Sequence, residues 1–178
     1  MNHDTYEASY ILGILHDVKT IAMVGASSNE VRPSFLVMKY LMSKGYEVLP
    51  VNPGLAGQTL LGQPVFASLR DIPKPIDMVD IFRNSEAAAA IVDEALTLNP
   101  KPSVIWMQIT VRNDAAAALA EAQGLRVVMN RCPKIEYGKA SGEWAWVGGN
   151  SGIISSRKQH SHESGRFQSL GLGVKPFR

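Results

Sequence analysis

Five short apolar runs, Thr20–Val24, Tyr46–Val51, Met78–Phe82, Ser103–Met107 and Leu125–Met129, alternate along this chain with segments of helical periodicity. A run that is apolar at nearly every position needs cover on both faces of a sheet, and helices between the strands supply it. The expected class is therefore α/β: a doubly wound, mainly parallel sheet of about five strands with helices on both faces.

The intervening segments support this reading. Tyr10, Ile11, Ile14, Leu15 and Val18 are spaced as one face of an N-terminal helix from about Asp4 to Val18. Pro33 opens a helix that Gly45 ends, Ser85 is the expected cap of an alanine-rich helix, and Asn113 that of a helix from Asp114 to about Gln123. A turn-rich stretch with Gly54, Gly57, Gly62 and Pro64 precedes the short run Val65-Phe66. After Gly138 the alternation stops, although Trp144, Trp146 and Val147 are candidates to cover a sheet edge. The reading is one domain over residues 1–150 and a basic tail over 151–178, expected to be flexible.

Composition narrows the class further. Hydrophobic residues make up 46% and charged residues 19%, ordinary for a globular protein, and a net charge of +2 gives no argument for nucleic acid. The single cysteine, Cys132, excludes an intrachain disulfide framework and suits a reducing cytoplasm. The first residues lack the basic-then-apolar pattern of a signal peptide, and no apolar run reaches the roughly 18–20 residues of a membrane span. The expectation is a cytoplasmic domain with a small-molecule nucleotide ligand and no nucleic-acid or membrane partner. A protein partner is not legible.

In a doubly wound sheet, ligands sit beyond the carboxyl ends of the strands, so the residues there carry the functional argument. After the first strand come Gly25, Ala26, Ser27 and Ser28, small enough for the backbone to approach a phosphate, followed by Arg32, Pro33 and Ser34. A tight connection with a solvated arginine has the same sequence, and the loop alone does not separate the two. The second strand ends Val51-Asn52-Pro53, where a nicotinamide-dinucleotide site usually has an acid for the ribose diol. That absence, with one glycine in the first turn instead of three, disfavours NAD. An apolar platform with one amide suits an adenine ring. Arg83 ends the third strand, available to a phosphate or to a surface acid; Trp106 and Gln108 end the fourth, Trp106 as core or contact. Lys134 follows the fifth.

Catalytic constellations are harder to find. Cys132 needs a base to act as a nucleophile, and His3, His16, His160 and His162 all lie outside the sheet region. It reads as a packing residue. Asp77 and Asp80 pair with no obvious second carboxylate, and His160 and His162 have no accompanying ligand set for a metal.

Several segments together carry a family resemblance: Val24-Gly25-Ala26-Ser27, Arg32-Pro33-Ser34, the stretch Gly45 to Pro53, Gly62-Gln63-Pro64-Val65-Phe66, Asp80-Ile81-Phe82-Arg83, Ile105-Trp106-Met107-Gln108 and Val128-Met129-Asn130-Arg131-Cys132. In order and spacing they resemble the stand-alone CoA-binding domain proteins, which are similar to the N-terminal CoA-binding domain of the succinyl-CoA synthetase alpha subunit. The resemblance runs from Val18 to Lys139 and more loosely through Trp146-Val147-Gly148 to Ser156. It implies a Rossmann-like domain binding CoA or an acyl-CoA. Gly25 to Ser28, Arg32 and Ser34 would hold the pyrophosphate; Val51, Asn52 and Pro53 would lie along the nucleotide; Arg83 would meet phosphate or the pantetheine arm. Trp106, Gln108 and Lys134 are further candidates. The family often has Asp where this chain has Asn130.

The synthetases need a further domain bearing a phosphorylated histidine, so the resemblance implies binding without catalysis, with a regulatory role as one expectation. Two other classes compete with this one. An NAD(P)-dependent oxidoreductase with an atypical fingerprint would show hydride transfer, and a scaffold acting through its basic tail would lose its associations when that tail is deleted.

Overall fold

The computed structural model describes residues 2–142. Its central sheet has five parallel strands, β1 (Thr20–Val24), β2 (Glu47–Val51), β5 (Met78–Ile81), β6 (Val104–Met107) and β7 (Arg126–Val128), in the order β2-β1-β5-β6-β7. A small antiparallel pair, β3 (Thr59–Leu60) and β4 (Gln63–Pro64), lies between β2 and β5 in sequence. The helices are α1 (Ala8–Asp17), α2 (Pro33–Ser43), α3 (Ser85–Leu96), α4 (Asp114–Ala122) and α5 (Pro133–Ala140). The doubly wound parallel sheet expected from the apolar runs is present. Trp144, Trp146, Val147 and the basic tail lie outside the described residues.

The two sheet faces read directly from alternate strand positions. Ala22, Leu49, Val79, Ile81, Ile105, Met107 and Val127 pack on one side against Ala88, Val92 and Ala95 of α3 and Ala116, Ala117 and Ala120 of α4. Ile21, Met23, Val48, Met78, Val104, Trp106 and Val128 pack on the other against Ile14 and Leu15 of α1 and Phe35, Met38 and Leu41 of α2. Alanines on the inner faces of α3 and α4 let both helices lie close to the sheet.

Both open edges of the sheet are occupied. The Tyr10 hydroxyl donates to Val127 O (3.3 Å) and accepts from Val127 N (3.1 Å), while Tyr6 accepts from Met129 N (2.7 Å). Thus the N-terminal segment satisfies backbone groups that the edge strand β7 would otherwise present to other chains. At the opposite edge, Phe66 N donates to Pro50 O and Asn52 N to Phe66 O, each at 2.9 Å. The run Val65-Phe66 therefore acts as an edge cover through a single bridge to Val51.

Two local expectations are corrected. The cap of α3 is Asn84, whose side chain accepts from Ala87 N at 3.0 Å, with Ser85 as the first helical residue. Asn113 caps α4 as expected, accepting from Ala116 N at 3.0 Å. Helix α5 was not anticipated; Pro133 at its first turn and Cys132 before it mark its start.

Candidate functional site

Strand β1 leads through α2 to β2 on one side, while β5 leads through α3 and α4 to β6 and β7 on the other. The winding reverses between β1 and β5, and a crevice is expected at their carboxyl ends. Gly25 and Arg83 meet there. Gly25 has φ +91°, and a β-carbon on it would lie 3.1 Å from the Phe82 carbonyl carbon and oxygen and from Arg83 Cδ. Glycine is required both by this backbone conformation and by the close passage of the β5 end.

The β1–α2 loop is shaped by its own side chains. Ser27 Oγ accepts from Asn29 N (3.2 Å) and Asn29 Oδ1 from Val31 N (3.1 Å), which turns the chain into α2. The backbone N–H groups of Ala26, Ser27 and Ser28 have no acceptor among the described residues. Such a run of free amides beside a helix N-terminus favours an anion.

Two clefts open along this edge, and Arg83 lines both. The smaller, about 470 Å³, includes Gly25, Val51, Asn52, Pro53 and Ser68, with Ala87, Ile91 and Glu94 of α3. The larger, about 1040 Å³, is bounded by Pro33, Leu36 and Val37 of α2, by Phe82 and Arg83, by Gln108 to Val111, and by Cys132, Lys134 and Ile135. Leu36 and Ile109 are among the exposed large apolar side chains, so the walls of this cleft are apolar around a few polar groups. Neither Arg83 nor Arg32 pairs with an acid among the described residues.

Of the residues singled out from sequence, Gly25, Val51, Asn52, Pro53 and Arg83 thus come together at the small cleft, and Pro33, Arg83, Gln108 and Lys134 at the large one. Ser27, Ser28 and Arg32 lie on the adjoining loop and line neither cleft. Ala26, within that loop, and Ser34, in the first turn of α2, are buried.

Two assignments change. Trp106 is fully buried on the α2 face, with Nε1 donating to Arg131 O at 2.8 Å, so its ring is core and not a ligand contact. The Asn52 amide does not offer itself to a base: Nδ2 donates to Ala26 O at 2.7 Å and Oδ1 accepts from Gly54 N at 2.9 Å. Asn52 instead ties the end of β2 to the phosphate-suited loop.

Sequence reading missed the polar pair beneath the large cleft. Asp80, in the middle strand β5, is fully buried, and Gln108 Nε2 donates to its Oδ1 (2.9 Å) and Oδ2 (3.2 Å). Burial raises the Asp80 pKa to about 7, with the Gln108 hydrogen bond opposing it. The same burial pushes the Cys132 thiol up, and neighbouring Asp80 pushes it further in that direction. Cys132 belongs to the packed core of that face while forming part of the cleft wall. No group of three or more metal-ligating side chains occurs among the described residues, nor any helix there long and apolar enough to cross a membrane.

This geometry has relatives among known proteins. The chain is 36% identical over 124 residues to the uncharacterized protein YneT of Bacillus subtilis (strain 168), covering 70% of this chain and 89% of that protein. The structure of cell-free ID.343 from Thermus thermophilus superposes with a TM-score of 0.71 at 34% identity, covering 75% of this chain and 98% of the other. A hypothetical protein from Pyrococcus horikoshii OT3 gives 0.71 at 35% identity, covering 78% and 95%. Each of these is a small protein of nearly the same extent as the fold described above. Residues 19–138, from the start of the sheet to the middle of α5, match the CoA binding domain, and the chain belongs to that family.

Proposed function

We propose that this chain binds CoA or an acyl-CoA at the carboxyl edge of its sheet, as a nucleotide-binding module without catalysis of its own, acting in the cytoplasm. The observation that carries this reading is the junction of Gly25 and Arg83 at the point where the winding reverses. There loop amides and a guanidinium without partners among the described residues flank two clefts that have Arg83 in common. Amides and arginine together suit a diphosphate, and clefts on either side suit a ligand extended in both directions from it. CoA has that shape, with a nucleotide at one end and a pantetheine arm at the other. Membership of the CoA binding domain family supports the same ligand.

Calorimetric titration with CoA, dephospho-CoA and NAD tests this. Saturable heat with CoA and none with NAD is expected. Saturable NAD binding with no heat from CoA overturns the reading, and turnover of a nicotinamide cofactor overturns the non-catalytic part.

A further inference from the structure

A carboxylic acid in the middle strand of a sheet is costly to ionise, and among the described residues Asp80 has one side-chain polar partner, the amide of Gln108. The surroundings explain why. In register beside Asp80 stand Met23 on β1 and Trp106 on β6. From α1 and α2 the same face receives apolar side chains, among them Ile14, Phe35 and Met38. From the segment entering α5 comes the Cys132 thiol, and along the cleft wall stand Arg83, Glu86 and Lys134. Of these charged groups, Arg83 and Glu86 are exposed.

Gln108 is also buried, yet it forms part of the large cleft. With Nε2 turned toward Asp80, its Oε1 has no donor among the described residues, and no fully enclosed side-chain atom there lacks a partner. Hence Oε1 is open to the cleft. An ionised carboxylate accepts only, so it holds the amide in this orientation. A protonated one has a hydrogen to donate, and the amide oxygen is the acceptor within reach. The amide then turns, and Nε2 faces the cleft instead.

We propose that Asp80 is a positioning residue for Gln108, and that the proton on Asp80 decides whether the large cleft presents its ligand with a hydrogen-bond acceptor or a donor. Resting on the CoA reading above, the group that Oε1 accepts from is an amide N–H of the pantetheine arm. Binding such a donor favours the ionised carboxylate, so association releases a proton. Affinity then rises with pH through the range in which Asp80 titrates in the free protein. The Asp80 pKa of about 7 places that range near neutrality.

The test compares CoA affinity of the wild type, Asp80→Asn and Gln108→Met from about pH 5.5 to about pH 8.5. If only the ionised form binds, wild-type affinity falls about thirtyfold between the alkaline and the acid end of that range. Asp80→Asn carries no titratable proton, so its affinity is expected to lack this dependence on pH. The phosphate monoester of CoA titrates near about 6 on its own account, and the comparison between variants removes it because it is common to all. Gln108→Met keeps the volume without the amide and is expected to lose both the affinity and its dependence on Asp80.

The wild type is also expected to release protons on binding near neutrality, read as heats that differ between buffers of different ionisation enthalpy, and Asp80→Asn is not. Parallel pH profiles in wild type and Asp80→Asn overturn the proposal and leave CoA binding standing. Absence of CoA binding to the wild type at every pH overturns the ligand reading itself. In that event the side-chain amide resonances of Gln108 in the ligand-free protein still decide the switch: a midpoint near neutrality that vanishes in Asp80→Asn is expected, and no titration overturns it.

Discussion

Asn52 Nδ2 reaches across from the end of β2 to donate to the carbonyl of Ala26 at 2.7 Å, while its Oδ1 accepts from Gly54 N. One side chain thereby fixes the β1–α2 loop and opens the short 3₁₀ turn at Pro53–Leu55. Replacement by Ala removes both bonds and is expected to cost about 1–2 kcal/mol of stability. Asn52→Asp keeps the acceptor for Gly54 but sets a carboxylate against the Ala26 carbonyl. It is expected to destabilise at neutral pH at least as much as Asn52→Ala, and not to create affinity for NAD. Denaturant melts of the two variants, with NAD titration of the second, check both statements. NAD binding by Asn52→Asp would mean that its carboxylate faces the cleft after all.

Gly25→Ala tests the switch point itself. The new methyl would meet the Phe82 carbonyl at 3.1 Å from a backbone held at φ +91°. Backbone does not yield as a flexible side chain does, so β1 and β5 must separate at their ends. A loss of about 1–3 kcal/mol is expected from the strain. CoA affinity is expected to fall as well, because the loop amides and Arg83 move apart. A melting temperature equal to that of the wild type would show that the loop relaxes freely.

Arg83→Ala separates binding from folding. The side chain is exposed and has no ion-pair partner among the described residues, so stability should change by no more than about 0.5 kcal/mol. Loss of a charge-assisted contact to phosphate corresponds to about 1.5–3 kcal/mol, roughly tenfold or more in the CoA dissociation constant. Arg32→Ala, at a residue that lines neither cleft, should have the smaller effect of the two. The ordering is read from parallel titrations at low salt; an unchanged constant for Arg83→Ala would make it a surface residue only.

What the sequence discloses here follows from range. Val79, Ile105 and Val127 face one side of the sheet and their strand neighbours Met78, Val104 and Val128 the other, so burial on two faces, and hence a covered parallel sheet, is legible from each run alone. Gly25 and Arg83 are legible for a related reason, since the ends of parallel strands on either side of a winding reversal must be neighbours. Asp80 and Gln108 are 28 residues apart, and their contact depends on the register of β5 against β6. No local pattern records it. Asn52 stands out in the sequence for the acid it replaces, but its partner Ala26 contributes a backbone carbonyl, which has no sequence signature. Helix α5 was missed because polar and apolar residues are mixed along Pro133–Ala140, and contacts with α1 and α2 hold it in place.

Asp80 should also leave its mark on stability without any ligand. Its pKa is near 7 in the folded protein against an ordinary 3.8, so between those values the native state holds a proton that the unfolded chain releases. Stability falls as pH rises wherever the native state binds more protons than the unfolded state. The contribution of Asp80 is therefore most favourable in acid, declines between about pH 4 and about pH 7, and is flat above, the full change being on the order of 4 kcal/mol. Asp80→Asn removes the titration and retains an amide able to pair with Gln108. Relative to the wild type, the variant is expected to gain stability progressively as pH rises from about 4 to about 7 and to hold that gain at about pH 8. Urea melts of both proteins across this range measure the difference, in which the exposed carboxylates common to both cancel. A difference that does not vary with pH would mean that Asp80 titrates in the folded protein as it does in water, which a fully buried carboxylate with one amide partner does not do.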